Sequence, residues 1–128
     1  MSYYIDKRVA TPFDETISAV TAALKQEGFG ILTDIDIKKT LKSKLDVDFR
    51  NYRILGACNP PFAYQALQTE AYIGTMLPCN VIVQEGEDGV VRVAAIDPVA
   101  SMQAVENPAL QEVAQEIRAR LARAVASV

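Results

Sequence analysis

Two short motifs contain the only two cysteines of the chain: CNPP at residues 58–61 and PCN at residues 78–80. Each motif follows or opens a strand-like run of apolar residues, so both thiols are predicted to lie at ends of strands. A thiol in such a place acts as a nucleophile, as a ligand for a soft metal or as a small packing group. The sequence leaves these three roles open, as well as the distance between the thiols.

Cys58 stands directly before a predicted helix, with Asn59 as its N-cap and Pro60 as its first residue. The positive end of a helix lowers the pKa of a nearby thiol, which favours a redox, sulfur-handling or soft-metal function for Cys58 and Cys79. The alternative is that both cysteines are buried and inert, because free cysteines are among the most buried residues in proteins.

The ligand count argues against a metal site. Structural zinc requires four ligands, and this sequence has two cysteines, 21 positions apart, and no histidine. We therefore expect no metal site in one chain, although two copies of the chain could pool four thiolates. The absence of histidine also excludes Ser-His and Cys-His catalysis. No cofactor is indicated.

Two asparagines accompany the thiols. The side chains of Asn59 and Asn80 are predicted either to line the same pocket as Cys58 and Cys79, or to serve as a helix cap and a strand-entry turn.

Three charged residues complete the candidate ligand-binding set. Asp36 and Asp97 lie next to strand ends, where a carboxylate serves in acid–base chemistry, caps a helix or forms a turn. Lys38 belongs to a basic segment that would attract an anionic ligand, and a solvated helix face is the simpler explanation. The candidate site thus comprises Cys58, Asn59, Cys79, Asn80, Asp36, Asp97 and Lys38, and no residue is assigned as catalytic.

The composition fits one globular domain over residues 1–128, with 50% hydrophobic and 23% charged residues. The net charge of −3 argues against a nucleic-acid-binding domain, which usually has a basic excess. No apolar run is long enough to span a bilayer, and the first residues do not resemble a signal peptide. We therefore expect a cytoplasmic protein that has no membrane partner and keeps its thiols reduced.

Hydrophobic periodicity predicts an α+β domain in the order β-α-β-α-β-α-β-β-α. The sheet is expected to be antiparallel or mixed and backed by the first and last helices. We expect N-caps at Thr11, Asp36, Asn59 and Asn107, and a helix stop at Gly28. The predicted strands are residues 3–9, 30–35, 49–57 and 81–83, and a last strand that includes 90–93 and is ended by Asp97-Pro98. A short turn or an irregular loop is expected at 71–77, and one or two helical turns at 99–105.

Three segments carry a family resemblance: residues 28–36 (GFGILTDID), 52–60 (YRILGACNP) and 77–81 (LPCNV). In sequence, order and spacing they resemble the family known as domain of unknown function 302. The resemblance covers roughly residues 8–98, with the final helix as a less distinctive tail. The distinctive positions of the family fall on Asp36, Cys58, Asn59, Pro60, Pro78, Cys79, Asn80, Asp97 and Pro98.

The resemblance implies a curved antiparallel sheet backed by helices, similar to a single TATA-binding-protein-like repeat, and it implies a homodimer. It implies no established activity, and likeness to a DNA-binding architecture is no evidence that this chain binds DNA. The sequence therefore favours a small dimeric domain that binds a small molecule or an anion, or mediates an interaction, through the Cys-Asn motifs. The alternative is a thiol-dependent redox, sulfur-handling or soft-metal-binding protein, and whether the chain is an enzyme stays open.

Overall fold

The computed structural model describes residues 2–128, which form one five-stranded sheet and five helices. All four pairings between neighbouring strands are antiparallel, in the order β1-β5-β4-β3-β2. The α+β prediction is confirmed, and the antiparallel form of the sheet is the one observed. The strands are β1 (Tyr4–Val9), β2 (Gly30–Asp36), β3 (Tyr52–Cys58), β4 (Cys79–Glu85) and β5 (Val91–Ile96). The helices are α1 (Phe13–Gln26), α2 (Ile37–Leu45), α3 (Pro60–Thr69), α4 (Pro98–Ser101) and α5 (Pro108–Ala126), and a 3₁₀ turn spans Ile73–Met76.

One face of the sheet is buried beneath α1 and α5. Side chains alternate between the two faces of a strand, so every second residue of β4 and β5 enters the core. Val81, Val83 and Val93 are fully buried there, together with Leu24 of α1 and Leu121 of α5. Burying each such side chain contributes about 1.5–3 kcal/mol, so this layer dominates the stability of the fold. The prediction that the first and last helices back the sheet is confirmed.

Two of the four predicted N-caps form. The carboxylate of Asp36 accepts a hydrogen bond from the Lys39 amide at 3.0 Å, and the Asn107 side chain accepts one from the Ala109 amide at 3.2 Å. The prediction for Thr11 is wrong, because α1 begins at Phe13 and its N-cap residue is a proline without a side-chain oxygen. The hydroxyl of Thr11 lies 2.7 Å from that of Thr16 instead.

The strand ends differ from the predicted ones in both directions. β3 begins at Tyr52, three residues later than predicted, and β4 extends beyond its apolar run at both ends, whereas β5 ends at Ile96, before Asp97, as predicted. The hairpin between them and the left-handed backbone at Gly28 (φ 88°) are as predicted. None of the helices in residues 2–128 is long and apolar enough to cross a bilayer.

The β3–β4 pairing places the two Cys-Asn motifs side by side. In the ladder, Cys79 lies opposite Ala57 and Asn80 lies opposite Gly56, so Cys58 is one residue beyond the position facing Cys79. β3 runs directly into α3, and α3 contacts α5. The motifs therefore meet where the sheet, α3 and α5 adjoin.

Candidate functional site

A cavity of about 290 Å³ lies between the ends of β3 and β4 and helices α3 and α5. Its wall is almost entirely hydrocarbon, and its polar lining residues are both cysteines and Asn59. It is partly open, and exposed Leu32 and Leu67 are among the residues that line it. The main apolar lining residues are Phe29, Phe62, Ala63, Ala66, Leu77, Met102, Leu110, Val113, Ala114 and Ile117.

An arginine holds the aromatic part of this wall. The guanidinium carbon of Arg120 lies 5.2 Å from the centre of the Phe62 ring, in a cation–π contact. Arg120 also donates to the backbone carbonyl of Glu27 at 3.1 Å and to the carboxylate of Glu116 at 2.9 Å. These three contacts fix the guanidinium, so the Phe62 ring packs against a rigid support.

The buried thiol belongs to Cys79, which is 9% exposed. Burial, with a smaller effect from neighbouring Cys58, raises the pKa of the Cys79 thiol from 9.0 to about 11. At neutral pH this thiol is protonated, and a protonated thiol is a poor nucleophile and metal ligand. Cys79 therefore presents a weakly polar surface to the cavity.

The raised pKa predicts how stability changes in alkali. An unfolded Cys79 loses its proton near pH 9, whereas the folded one holds it until about pH 11. Its contribution to stability is complete below pH 9 and is lost as the pH rises towards 11, by about 2 kcal/mol at pH 10.5. We expect the difference in unfolding free energy between the wild type and Cys79→Ala to narrow by that amount between pH 8 and 10.5, as measured by urea titration. If the difference in unfolding free energy between the two proteins stays constant over this pH range, the raised pKa of Cys79 is contradicted.

Cys58 is half-buried, and the helix that follows it offers few donors. Pro60 and Pro61 occupy the first two positions of α3 and have no N–H group. The first residue of α3 with an N–H group is Phe62, so the start of the helix presents fewer donors near Cys58 than the motif predicts. The geometry gives no strong reason for a reactive thiol pair.

Asn59 is buried, at 6% exposed, and connects two helices. Its side chain makes no cap hydrogen bond with α3, and its Nδ2 donates to the carbonyl of Glu27 at 3.3 Å. The predicted side-chain cap is thus not formed, because the amide ties the end of α1 to the start of α3. A Cβ atom on Gly28 would lie 2.9 Å from this Nδ2, so the glycine lets the amide approach closely.

The family described as "Domain of unknown function DUF302" matches residues 5–128. The chain belongs to the DUF302 family. The match includes α5, so the last helix is part of the family's domain and not a tail beyond it. A search among curated proteins found no match.

A solved structure supports the assignment. It is described as the crystal structure of an uncharacterized conserved DUF302 protein from Bacillus stearothermophilus. It shares 31% sequence identity with this chain and superposes with a TM-score of 0.92, over 99% of this chain and 98% of the other. The two DUF302 chains therefore have the same fold over nearly their full lengths.

Asn80 follows Cys79 directly but does not line the main cavity of this DUF302 domain. It is exposed and lines a neighbouring recess of about 260 Å³ together with Pro78 and Cys79. It also lines a broad concavity on the opposite face of the sheet, beside Tyr4 and Tyr52. The main cavity is thus lined by Cys58, Asn59 and Cys79, and not by Asn80.

The predicted charged residues of the DUF302 domain lie outside the cavity wall. Asp36 caps α2, and exposed Lys38 follows it. The buried carboxylate of Asp97 caps α4 through the amides of Val99 and Ala100. In residues 2–128, no group of three or more histidine, cysteine or acidic side chains is placed to hold a metal ion.

The sequence reasoning overlooked the residues that shape the cavity. Phe62, Met102 and Leu110 read as ordinary core positions, and Phe62 also packs against the main core. One weak signal covers part of this wall: the two short segments at 71–77 and 99–105 carry large apolar side chains outside the predicted strands and long helices. Leu77 and Met102 of these segments line the cavity.

Proposed function

We propose that this domain binds one small, uncharged, hydrophobic molecule in the cavity between α3, α5 and the sheet. The observation that carries the proposal is a partly open cavity of about 290 Å³ with an almost purely hydrocarbon wall. Ligand pockets are usually apolar with few polar groups, and their volumes begin at roughly 300 Å³. An apolar cavity of roughly half this size is sufficient for benzene.

The charges around the cavity favour a neutral ligand over an anion. Within residues 2–128, no lysine, arginine, aspartate or glutamate lines the cavity. A charged ligand would lose its hydration without gaining an ion pair, at a cost of several kcal/mol. Binding of an anion, the other possibility raised by the sequence, has less support here because Lys38 is not part of the wall.

The redox and soft-metal alternative also has less support than hydrophobic binding. The raised pKa keeps Cys79 protonated at neutral pH, and two prolines deprive Cys58 of helix amides. Two thiols also supply only half of the four ligands that a structural zinc site requires.

Filling the cavity tests the proposal. Ala63 lines the cavity and is half-buried, so Ala63→Leu would occupy ligand volume at limited cost to folding. We expect toluene to perturb the NMR resonances of lining residues in the wild type, and its affinity to fall by roughly tenfold or more in Ala63→Leu. The matched control is Ala22→Leu on the exposed face of α1. Equal toluene affinity in both variants, or no binding to the wild type, would refute hydrophobic binding in this cavity.

We further propose that two copies of the chain associate through the sheet face opposite α1 and α5. Across four strands, Ile35, Ile54, Ile82 and Ala94 are successive ladder partners and form an uncharged row. Twofold symmetry places such a row against its own copy without opposing like charges. Tyr4, 42% exposed, lies on the same face, and tyrosine is common at interfaces.

A charge placed at the centre of this row tests the dimer. We expect sedimentation equilibrium to show a dimer for the wild type and a monomer for Ile82→Lys, because a buried unpaired ammonium opposes association. Val47→Lys, at a 42% exposed site after α2, is the control and should stay dimeric. A monomeric wild type, or an Ile82→Lys protein that remains dimeric, would rule out this interface.

A further inference from the structure

Asn59 presents a free hydrogen-bond acceptor in the wall of an otherwise apolar cavity. Its side chain is more than nine-tenths buried and lines the cavity. The Nδ2 end of the amide is fixed by its bond to the Glu27 carbonyl. The other end, Oδ1, receives no hydrogen bond from any residue in 2–128. A ligand donor is therefore the natural partner for this oxygen.

The free oxygen is accessible. Among residues 2–128, no side-chain nitrogen or oxygen is both sealed from contact and without a hydrogen-bond partner. Since Oδ1 of Asn59 has no partner, it must be open to contact. A buried polar group left without a bond costs about 1–3 kcal/mol, so a ligand that satisfies it gains affinity.

A free donor stands close to this acceptor along the chain. In α3, the first backbone hydrogen bond runs from the Ala63 amide to the Asn59 carbonyl, at 2.9 Å. Pro60 and Pro61 have no N–H, and the Phe62 N–H has no backbone acceptor in the described part of the chain. An N-cap side chain ordinarily accepts from an amide at this position, and no such bond forms here, so the Phe62 N–H and Oδ1 of Asn59 are both without a hydrogen-bond partner among residues 2–128.

We propose that the ligand of the cavity carries one hydroxyl group, as in a phenol or a hydrophobic alcohol. The hydroxyl donates to Oδ1 of Asn59 and accepts from the Phe62 N–H, and the hydrocarbon body fills the cavity. A hydroxyl is both donor and acceptor and satisfies both groups at once. A carboxylate only accepts and would face Oδ1 with a second acceptor, and an ammonium only donates. This inference rests on the proposed hydrophobic binding.

A matched ligand series tests the inference without changing the protein. The probes are p-cresol, p-xylene and p-toluate, which differ at one substituent, and affinities come from NMR titration of the full ¹⁵N-labelled chain. We expect p-cresol to bind about three- to tenfold more tightly than p-xylene, since its hydroxyl exchanges hydrogen bonds with water for two with the protein, at a small net gain. The Phe62 amide proton should shift downfield with p-cresol and not with p-xylene, and p-toluate should bind more weakly than either.

The possible outcomes separate this inference from the proposed function. Equal affinities for p-cresol and p-xylene would overturn the hydroxyl contact and leave hydrophobic binding intact. If p-cresol binds more tightly but the Phe62 amide does not respond, the hydroxyl lies elsewhere. This result would overturn its proposed position between Oδ1 of Asn59 and the Phe62 N–H. Tighter binding of p-toluate would overturn the uncharged ligand class. If neither neutral probe perturbs the cavity, both proposals fail.

Discussion

Replacing Asp97 with alanine is expected to lower the free energy of unfolding by about 3 kcal/mol. The carboxylate is 9% exposed and makes three hydrogen bonds. Its Oδ1 accepts from the amides of Val99 and Ala100 at 3.0 and 3.4 Å, and its Oδ2 accepts from Nε of Arg118 at 2.9 Å. Alanine leaves two amides and a guanidinium unpaired at the junction of β5, α4 and α5.

Two control variants separate the contributions of the cap and the ion pair. Asp97→Asn keeps an oxygen for the α4 amides and loses the charge, and Arg118→Ala removes the partner and keeps the cap. Each should cost about 1 kcal/mol in urea-induced unfolding, because the Arg118 side chain is half-exposed to solvent. A loss below 1 kcal/mol for Asp97→Ala would show that the three hydrogen bonds of Asp97 do little to stabilise the fold.

Local signals in the sequence predicted most of the fold. The helix caps at Asp36 and Asn107, the stop at Gly28 and the β4–β5 hairpin each depend on a few neighbouring residues, and each forms. Thr11 failed as a cap because the start of α1 was placed one residue too early. The start of β3 was missed because apolar content alone does not show where a strand finds its partner.

The site was less predictable because it is assembled from distant parts of the chain. Asn59 has the sequence context of a helix cap, yet its amide bonds to Glu27, which lies 32 positions earlier. The cavity combines residues from β3, α3, α5 and two irregular segments, and no local pattern shows that these meet. The sequence left open whether Cys58 and Cys79 lie near each other, and the register of β3 against β4 places them one ladder position apart.

Gly56 gives the second large effect: Gly56→Ala is expected to destabilise the fold by about 3 kcal/mol. Gly56 lies in β3, where a Cβ atom would clash with Oγ1 of Thr33 and would stand 2.8 Å from Cγ of Pro78. Thr33 can rotate its hydroxyl away, but the Pro78 ring is rigid, so the backbone of β4 must shift. The strain is steric and does not arise from the backbone angles of Gly56.

Gly30→Ala is the matched control, because Gly30 is also a strand glycine and a Cβ atom there would meet nothing within 4 Å. We expect Gly30→Ala to change the unfolding free energy by less than about 1 kcal/mol, in either direction. Urea titration of both variants gives the comparison, and equal effects would contradict the steric explanation.

Gly56→Ala is also expected to change the shape of the cavity, through the contact between Gly56 and Pro78. Pro78 immediately precedes Cys79 and both line the cavity, so displacing Pro78 moves part of the wall. If Gly56→Ala folds, we therefore expect it to bind toluene more weakly than Gly30→Ala does. Equal affinity would show that the cavity tolerates the shift of β4. The small residue at position 56 would then serve strand packing alone.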